Sequence, residues 1–346
     1  MEPYALASYD FDLPTAQIAQ HPAVPRDASR LLVQVRHGGA PQHRSFTDLP
    51  SLLRAGDVLV VNRTQVIPAR LAWRRSAGAE GELLLERPLD GSLQTARVWE
   101  GIGRPGSALR VGRALLTRGG ARLSVRARRG MLIEVRAEDG PLWPVLLAEG
   151  SLPLPPYIVA PPAVRAATDY QSIFAAELGA VAAPTASLHF TPAVLAALID
   201  RGVEIHELVL HVGLGTFLPI RPEHAADVRQ HTMHPEWYSI PPTTQAAVTA
   251  ARLAGRRVVA VGTTCLRALE SWGAGAGSVG ETRLFIVPGH RFSQVDALVT
   301  NFHLPRSTLL LLVAAFAGRQ VVMDAYRQAI ASGYRLFSYG DAMLLV

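Results

Sequence analysis

The sequence predicts an α/β protein: a large layered α/β domain carrying a small inserted domain of antiparallel strands, either a barrel or a sandwich. Three observations predict it. The chain has 346 residues, too many for one small core. Between residues 66 and 150, short runs alternate apolar and polar side chains, with Gly, Pro and Asp-Gly punctuation between them. Outside that window, apolar strand-like runs alternate with helix-period segments, which argues for a layered domain with a substantially parallel sheet. The partition is residues 1–65 plus 151–346 for a discontinuous α/β domain, and 66–150 for the insert. With 49% hydrophobic and 18% charged residues, the chain buries a core and lies far from disorder.

In chain order, a turn-rich entry leads to a short helix near "FTDLPSLLRAG" and a strand "DVLVVN" at 57–62. The insert offers "VIPARLAW", "ELLLER", "TARVWE", "ARLSVRAR" and "MLIEVRA" as antiparallel strands. "LPLPPYI" at 152–158 is a rigid proline-rich connector back to the larger domain. Helices are predicted at "PAVLAALIDRG", "TTQAAVTAARLAG", "TCLRALESW" and "TLLLLVAAFAG", and strands at "EIHELVLHV", "RRVVAVG", "TRLFIV" and "DALVTN". The apolar run from Thr308 to Gly318 is short of the ~20 residues that a spanning helix needs, so a buried core helix is expected and no membrane partner. The opening "MEPYALASYDFDLP" has no basic region before an apolar run, so no signal peptide is read. The single cysteine, Cys265, excludes an intramolecular disulfide and any multi-cysteine metal site, and a cytoplasmic location is expected.

All 34 basic residues are arginine, which excludes Schiff-base chemistry and a lysine-dependent phosphate loop. Asparagine occurs only at Asn62 and Asn301, each beside a strand-like run, where a specific hydrogen-bonding duty is one reading and compositional bias the other. Between Arg97 and Arg136 lie ten arginines against Glu100 and Glu134, a local +8, whereas the rest of the chain carries 24 basic and 26 acidic residues. That asymmetry is the signature either of a polyanion partner or of a solvated polar face. Gly262-Thr263-Thr264 follows a strand and opens a helix, a place for an anion or for ordinary capping. Gly213 and Gly215 lack the third glycine and the following helix of a dinucleotide fingerprint, and a Rossmann cofactor is rejected. His231 and His234 precede Pro235 outside any metal-binding helix pattern, so no metal is expected. His189, His211 and His303 each stand in an apolar frame beside small residues or proline. They are either hydrogen-bonded core residues or members of one shared cleft.

Several stretches occur together in order: "YDFDLPTAQIAQHP", "GDVLVVNRTQVIPARL", "LPLPPYI", "DYQSIFA", "GAVAAPTASLHFT", "LHVGLGTFLPI", "MHPEWYSI", "AVGTTCLRALES", "DALVTNFHLPRSTLLLLVAAFAG" and "YRLFSYGDAMLL". Through them the chain resembles, from Tyr9 to Leu345, the S-adenosylmethionine:tRNA ribosyltransferase-isomerase family of queuosine biosynthesis. The resemblance implies an α/β domain with an inserted β-barrel. It implies transfer and isomerisation of the ribosyl part of S-adenosylmethionine onto 7-aminomethyl-7-deazaguanine at the wobble position of a tRNA with a GUN anticodon. The products are then epoxyqueuosine-tRNA, adenine and methionine. S-adenosylmethionine is consumed as ribosyl donor, no cofactor is implied, and a monomer is expected. Cys265, Arg63, Gln65 and Leu218 depart from the family pattern, which advises against placing catalysis on them.

That chemistry suggests roles. A proton on the carbon beside a sulfonium is acidified by the positive sulfur, so a neutral imidazole serves as base. His189 is the first choice, because Leu188 and Phe190 disfavour its charged form, with His211 and His303 in reserve. Asn301, Asp296 or a second histidine would assist departing adenine, and Asn62 joins the substrate-binding set. Phe217, Phe302 and Tyr339 are candidates to face the sulfonium, and Gly262, Thr263 and Thr264 to hold the methionine carboxylate. Asp169, Glu236 or Asp341 would meet the cationic aminomethyl group. Arg126, Arg128 and Arg129 would meet the tRNA backbone. Two alternatives are a methyltransferase, which would release S-adenosylhomocysteine, and a non-catalytic tRNA-binding protein. The missing glycine-rich loop after the first strand counts against the former, and the histidine loops beyond the basic segment against the latter.

Overall fold

The computed structural model describes residues 3–36, 38–75, 78–159, 168–217 and 220–346, the side chains of Thr216 and Phe217 excepted. The chain begins with strands β1 (Arg30–Gln34), β2 (Gln42–Ser45) and β3 (Val58–Asn62), and β4 (Thr64–Val66) then leads into the insert. There β5 (Arg70–Arg74), β6 (Glu80–Pro88), β7 (Val98–Arg104), β8 (Ala114–Thr117), β9 (Arg122–Arg129) and β10 (Leu132–Ala137) close into an antiparallel barrel. The return path uses β11 (Glu177–Ala180), β12 (Glu204–Leu210), β13 (Glu236–Ser239), β14 (Val258–Val261), β15 (Val279–Thr282), β16 (Ala297–Asn301) and β17 (Ala342–Leu345). Nine of these form one sheet in the order β15-β13-β12-β3-β14-β16-β17-β1-β2. The neighbours β12, β3, β14 and β16 run parallel, while β17 lies antiparallel to β16.

The all-apolar letters of the central strands follow from this arrangement. Val58 and Val60 of β3 and Val258 and Ala260 of β14 enter one core, and Leu59, Val61, Val259 and Val261 enter the core on the opposite face. A strand covered on both faces has no position that tolerates a polar side chain, so alternation disappears. Helices Pro242–Leu253, Gly262–Gly273, Thr308–Ala317 and Arg319–Ala331 contribute to the first core, and Pro192–Asp200 to the second. The run "TLLLLVAAFAG" is a helix buried on nearly every side, from Leu310 to Ala314 and again at Phe316 and Ala317. It ends at Gly318, whose φ of 92° lets the next helix leave at 113° to it. Among the described residues no single helix is long and apolar enough to cross a membrane.

The sheet departs from the sequence reading in places. "TRLFIV" supplies only Thr282 to a strand. The Thr282 hydroxyl accepts from Leu284 N at 3.1 Å and the Leu284 carbonyl accepts from Arg267 Nε at 3.0 Å, so side chains take the groups a ladder would need. Strands β1, β2, β8, β11, β13 and β17 and the helices Trp143–Glu149 and Arg319–Ala331 lie outside the predicted elements. The six strands are only four or five residues long, and so short a run is not separable by periodicity from other structure.

The barrel is not an independent bead. Its core includes Val181 and Leu214, both from the α/β part. Arg70 at its first strand donates from Nη2 to the Leu154 carbonyl at 2.9 Å and pairs by backbone with Ser151, which ties down the proline connector. From β6, Glu86 reaches across and accepts from Leu214 N at 2.8 Å. Gly213 leaves it room, since a Cβ there would lie 2.2 Å from Glu86 Oε1. That contact is the physical reason for a glycine in "HVGLGTF". Burial raises the Glu86 carboxyl to about 7, with the Leu214 N–H acting in the opposite direction and the Glu100 carboxylate adding to the rise.

A raised carboxylate contributes stability that is fully present below its unfolded value and lost as pH rises through its folded one. Thermal melts at pH 6 and pH 8.5 should therefore show a loss of about 1.4 kcal/mol in the wild type that Glu86→Gln abolishes. An identical loss in both proteins would mean that Glu86 is already ionised at the lower pH.

Candidate functional site

Two of the parallel strands end against helix starts, and a cavity of about 250 Å³ lies between them. Beyond β14 the chain turns at Gly262, whose φ of 86° lets a helix begin directly at the strand end. No side chain caps the first N–H groups of that helix, and Gly262, Thr263 and Thr264 form part of the cavity wall. Beyond β16 comes Phe302-His303, and then Ser307, which caps the second helix by accepting from Leu310 N at 3.2 Å. Two partial positive charges thus face one space at the carboxyl edge of a parallel sheet, the usual position of ligands in such folds. The two described non-glycine residues with positive φ, Arg306 at 56° and Phe337 at 71°, both line this cavity. Strained backbone collects where function requires it.

The structure brings Gly262, Thr263, Thr264, Asn301, Phe302 and His303 together on this wall and leaves other expected residues elsewhere. Phe302 is 1% exposed, with its ring against Tyr326 and Tyr334 at 5.1 and 5.6 Å, so its faces belong to the core. Phe217 closes a short 3-10 turn, and its side chain lies outside the described residues. Tyr339 is buried against Tyr170 behind the wall. Asn62 is wholly occupied by backbone. It donates to Leu210 O at 2.9 Å and accepts from Thr64 N and Leu210 N, which extends the β3–β12 ladder. Asp296 binds Val258 N and Arg252 at the amino ends of β14 and β16, the opposite end of the sheet from the cavity. Glu236 is locked between Arg267 and Gly213 N, and Asp341 accepts from the backbone N–H groups of Arg30 and Arg335. Asp169 makes no hydrogen bond or ion pair among the described residues and precedes Tyr170 on the cavity wall.

The three histidines part company. His189 is 4% exposed and stacks on Phe46, with Nδ1 2.8 Å from Ser29 Oγ and Nε2 3.1 Å from Asn301 Nδ2. Both nitrogens are engaged, and His189 lies behind the cavity wall. His211 bonds Thr64 Oγ1 at 2.8 Å and stacks on Trp237, away from the cavity. His303 lines the cavity, with Nε2 tied to Thr300 Oγ1 at 2.8 Å and no hydrogen bond to Nδ1 among the described residues. Sequence reasoning missed Tyr157, Tyr170, Phe337 and Ser338 on the wall, where the Tyr157 hydroxyl and Ser338 Oγ lie 2.7 Å apart. A tyrosine closing a run of prolines was the available signal. Cys265 is fully buried and its thiol is pushed up by burial, as befits a packing residue.

The arginine triad also divides. Arg128 donates to the carbonyls of Gly130 and Gly106, and Arg129 pairs with Glu134. Arg126 is exposed at a bulge in β9. Asp139 and Glu138, just beyond the +8 window, neutralise Arg122 and Arg136. Side chains of Arg97, Arg104, Arg110, Arg113, Arg118 and Arg126 make no hydrogen bond or ion pair among the described residues. Arg113 lies opposite Val125, beside Arg126.

The sequence matches the family described as queuosine biosynthesis protein over residues 6–345. It is 48% identical over 352 residues to the S-adenosylmethionine:tRNA ribosyltransferase-isomerase of Moorella thermoacetica, with 99% of each chain covered. It is 51% identical over 345 residues to the protein of that name from Anaeromyxobacter sp. strain Fw109-5, with 98% of each covered. Among solved structures it is similar to the S-adenosylmethionine tRNA ribosyltransferase of Thermotoga maritima, with a TM-score of 0.56 and 36% identity over 98% of this chain and 100% of that one.

Burial pulls His189 and His303 each to about 3, with Arg335 and Arg26 adding to the effect at His189. Both are neutral in the folded protein at pH 7 and at pH 5. The unfolded chain binds their protons below its ordinary histidine value, so stability is full above that value and falls with falling pH. Each should withdraw about 2 kcal/mol between pH 7 and pH 5. Denaturant melts of His303→Gln should show a shallower acid slope than the wild type, and an unchanged slope would mean that the imidazole is protonated in the native state.

Proposed function

The chain belongs to the queuosine biosynthesis protein family, and from that premise we propose that the cavity at the carboxyl edge of the sheet holds S-adenosylmethionine during the reaction. That reaction is ribosyl transfer with isomerisation from S-adenosylmethionine to tRNA. The acceptor is proposed to be 7-aminomethyl-7-deazaguanine at the wobble position of a GUN anticodon, flipped from its loop to reach a closed site. Adenine and methionine leave. The carrying observation is the convergence of an uncapped helix start, an open histidine and a buried amide on one cavity.

Each part of the substrate then has a place. The methionine carboxylate is assigned to the N–H groups at Gly262-Thr263-Thr264, where the helix dipole favours an anion. The sulfonium is assigned to the aromatic faces of Tyr157 and Phe337, whose ring centroids are 5.0 Å apart. His303 takes the proton from the carbon beside the sulfonium. Its Nε2 is held by Thr300 Oγ1 at 2.8 Å, and burial leaves it uncharged next to a cationic substrate. Asp169, unlike Glu236 and Asp341, has a carboxylate to offer the aminomethyl group. The tRNA backbone is assigned to the barrel end that carries Arg104, Arg110, Arg113 and Arg126. No further cofactor or metal takes part in this scheme, which runs in a cytoplasmic monomer.

Incubation with S-adenosylmethionine and precursor tRNA should release adenine and methionine. Release of S-adenosylhomocysteine would establish the methyltransferase alternative, and release of neither would leave a tRNA-binding protein. His303→Gln should slow turnover about 10²- to 10⁴-fold with folding retained, and a rate above about a tenth of wild type would remove the imidazole from proton transfer.

For the barrel, Arg110→Gln, Arg113→Gln and Arg126→Gln together should raise KM for tRNA and flatten its salt dependence, because fewer counterions are released. KM for S-adenosylmethionine and the melting temperature should stay unchanged. Wild-type tRNA affinity and salt slope in this variant would move docking to the α/β part.

A further inference from the structure

We infer that Asn301 determines substrate specificity in this cavity. Its amide oxygen, turned inward by His189 and the Phe337 carbonyl, accepts a hydrogen bond from an N–H or O–H donor on the adenosine part of S-adenosylmethionine. The inference rests on the reading of the cavity given above and adds the identity and polarity of one contact.

The orientation of the amide follows from its neighbours. The Phe337 carbonyl lies 3.1 Å from Asn301 Nδ2 and is an acceptor only, so the amide nitrogen must face it. The same nitrogen lies 3.1 Å from His189 Nε2, which must then present its lone pair. The imidazole proton is left on Nδ1, where it donates to Ser29 Oγ at 2.8 Å. The stacking of Phe46, with ring centroids 5.0 Å apart and planes 29° from parallel, fixes the ring that makes both bonds. Burial keeps this imidazole uncharged, which matters because a proton on Nε2 would demand the amide oxygen in place of the nitrogen. Both N–H bonds of Asn301 are therefore engaged behind the wall. Its Oδ1 is buried and has no partner, on a residue that is 2% exposed and lines the cavity. A buried acceptor of this kind is costly unless something donates to it. His189 thus acts through Asn301 as a positioning residue and not as a catalytic one.

Two groups of the adenosine part could be the donor, the exocyclic amine of adenine and the ribose hydroxyls. The test measures dissociation constants of the full-length protein, by calorimetry, for S-adenosylmethionine and for analogues lacking the 6-amino group, the 2′-hydroxyl or the 3′-hydroxyl. One analogue should bind the wild type about tenfold or more weakly, which identifies the donor. Asn301→Leu should shrink that difference to about twofold or less, as expected when the shared partner is gone. His189→Phe, which keeps a ring against Phe46 but offers no acceptor, should also reduce it, and His189→Gln, whose amide oxygen accepts, should restore it. A structural role alone would lower the melting temperature without changing the ratio between analogues. Equal affinity of the wild type for all four ligands overturns the inference without any variant, as does full discrimination in Asn301→Leu. Undiminished discrimination in His189→Phe removes the positioning role. If the wild type fails to bind S-adenosylmethionine at all, the reading of the cavity falls first.

Discussion

Burial of β3, β14 and β16 on both faces is the constraint from which the rest of the molecule follows. Their backbone groups are consumed by neighbouring strands and their side chains by two cores, so the sheet meets a ligand only where the strands stop. At that edge the chain changes conformation abruptly, through Gly262 on one strand and through Asn301-Phe302-His303 on the next. The helix start at Gly262 has no side-chain cap, and its N–H donors stand at that edge. Among the described residues, the non-glycine positive φ values fall on the same rim, at Arg306 and Phe337.

The polar residues of this edge fall into two groups according to whether their hydrogen bonds are complete. Asn62 is saturated, and it joins two strands. Asn301 and His303 are each saturated on one side and open on the other. Half-satisfied buried groups are expensive in a resting protein, and they persist where a ligand completes them. His189 stands between the groups, because its own bonds are complete yet it decides how Asn301 is turned. In that way a histidine without access to substrate still shapes the chemistry.

The barrel adds a different physics. Its core borrows Val181 and Leu214 from the larger part, and Glu86 returns the contact by accepting from Leu214 N. Insert and α/β part are therefore one packed body at their junction, while the side chains of Arg97, Arg104, Arg110, Arg113, Arg118 and Arg126 make no hydrogen bond or ion pair among the described residues. Arg128 shows the contrary case, since its guanidinium ties the Gly106 and Gly130 carbonyls.

Composition, hydrophobic period and turn residues determined the α/β class with its antiparallel insert, most helices, the parallel core and the helix start at Gly262-Thr263-Thr264. These are properties of neighbours in the chain, so local letters carry them, whereas closure of the insert into a barrel was decided by strand pairing. The letters around His189, His211 and His303 are alike, and nothing local separates a saturated imidazole from an open one. Ser29, Phe46 and Asn301 lie 160, 143 and 112 residues from His189, and only the fold sets them around its ring. The same holds for Asn62 against Asn301, for Arg128 against Arg126, and for Tyr157, which reads as part of a connector until the chain folds back to the cavity. Which residues are present, and with what periodicity, was legible. Which polar atoms remain unpaired was decided by tertiary structure alone, because a hydrogen bond is satisfied by whatever is near in space.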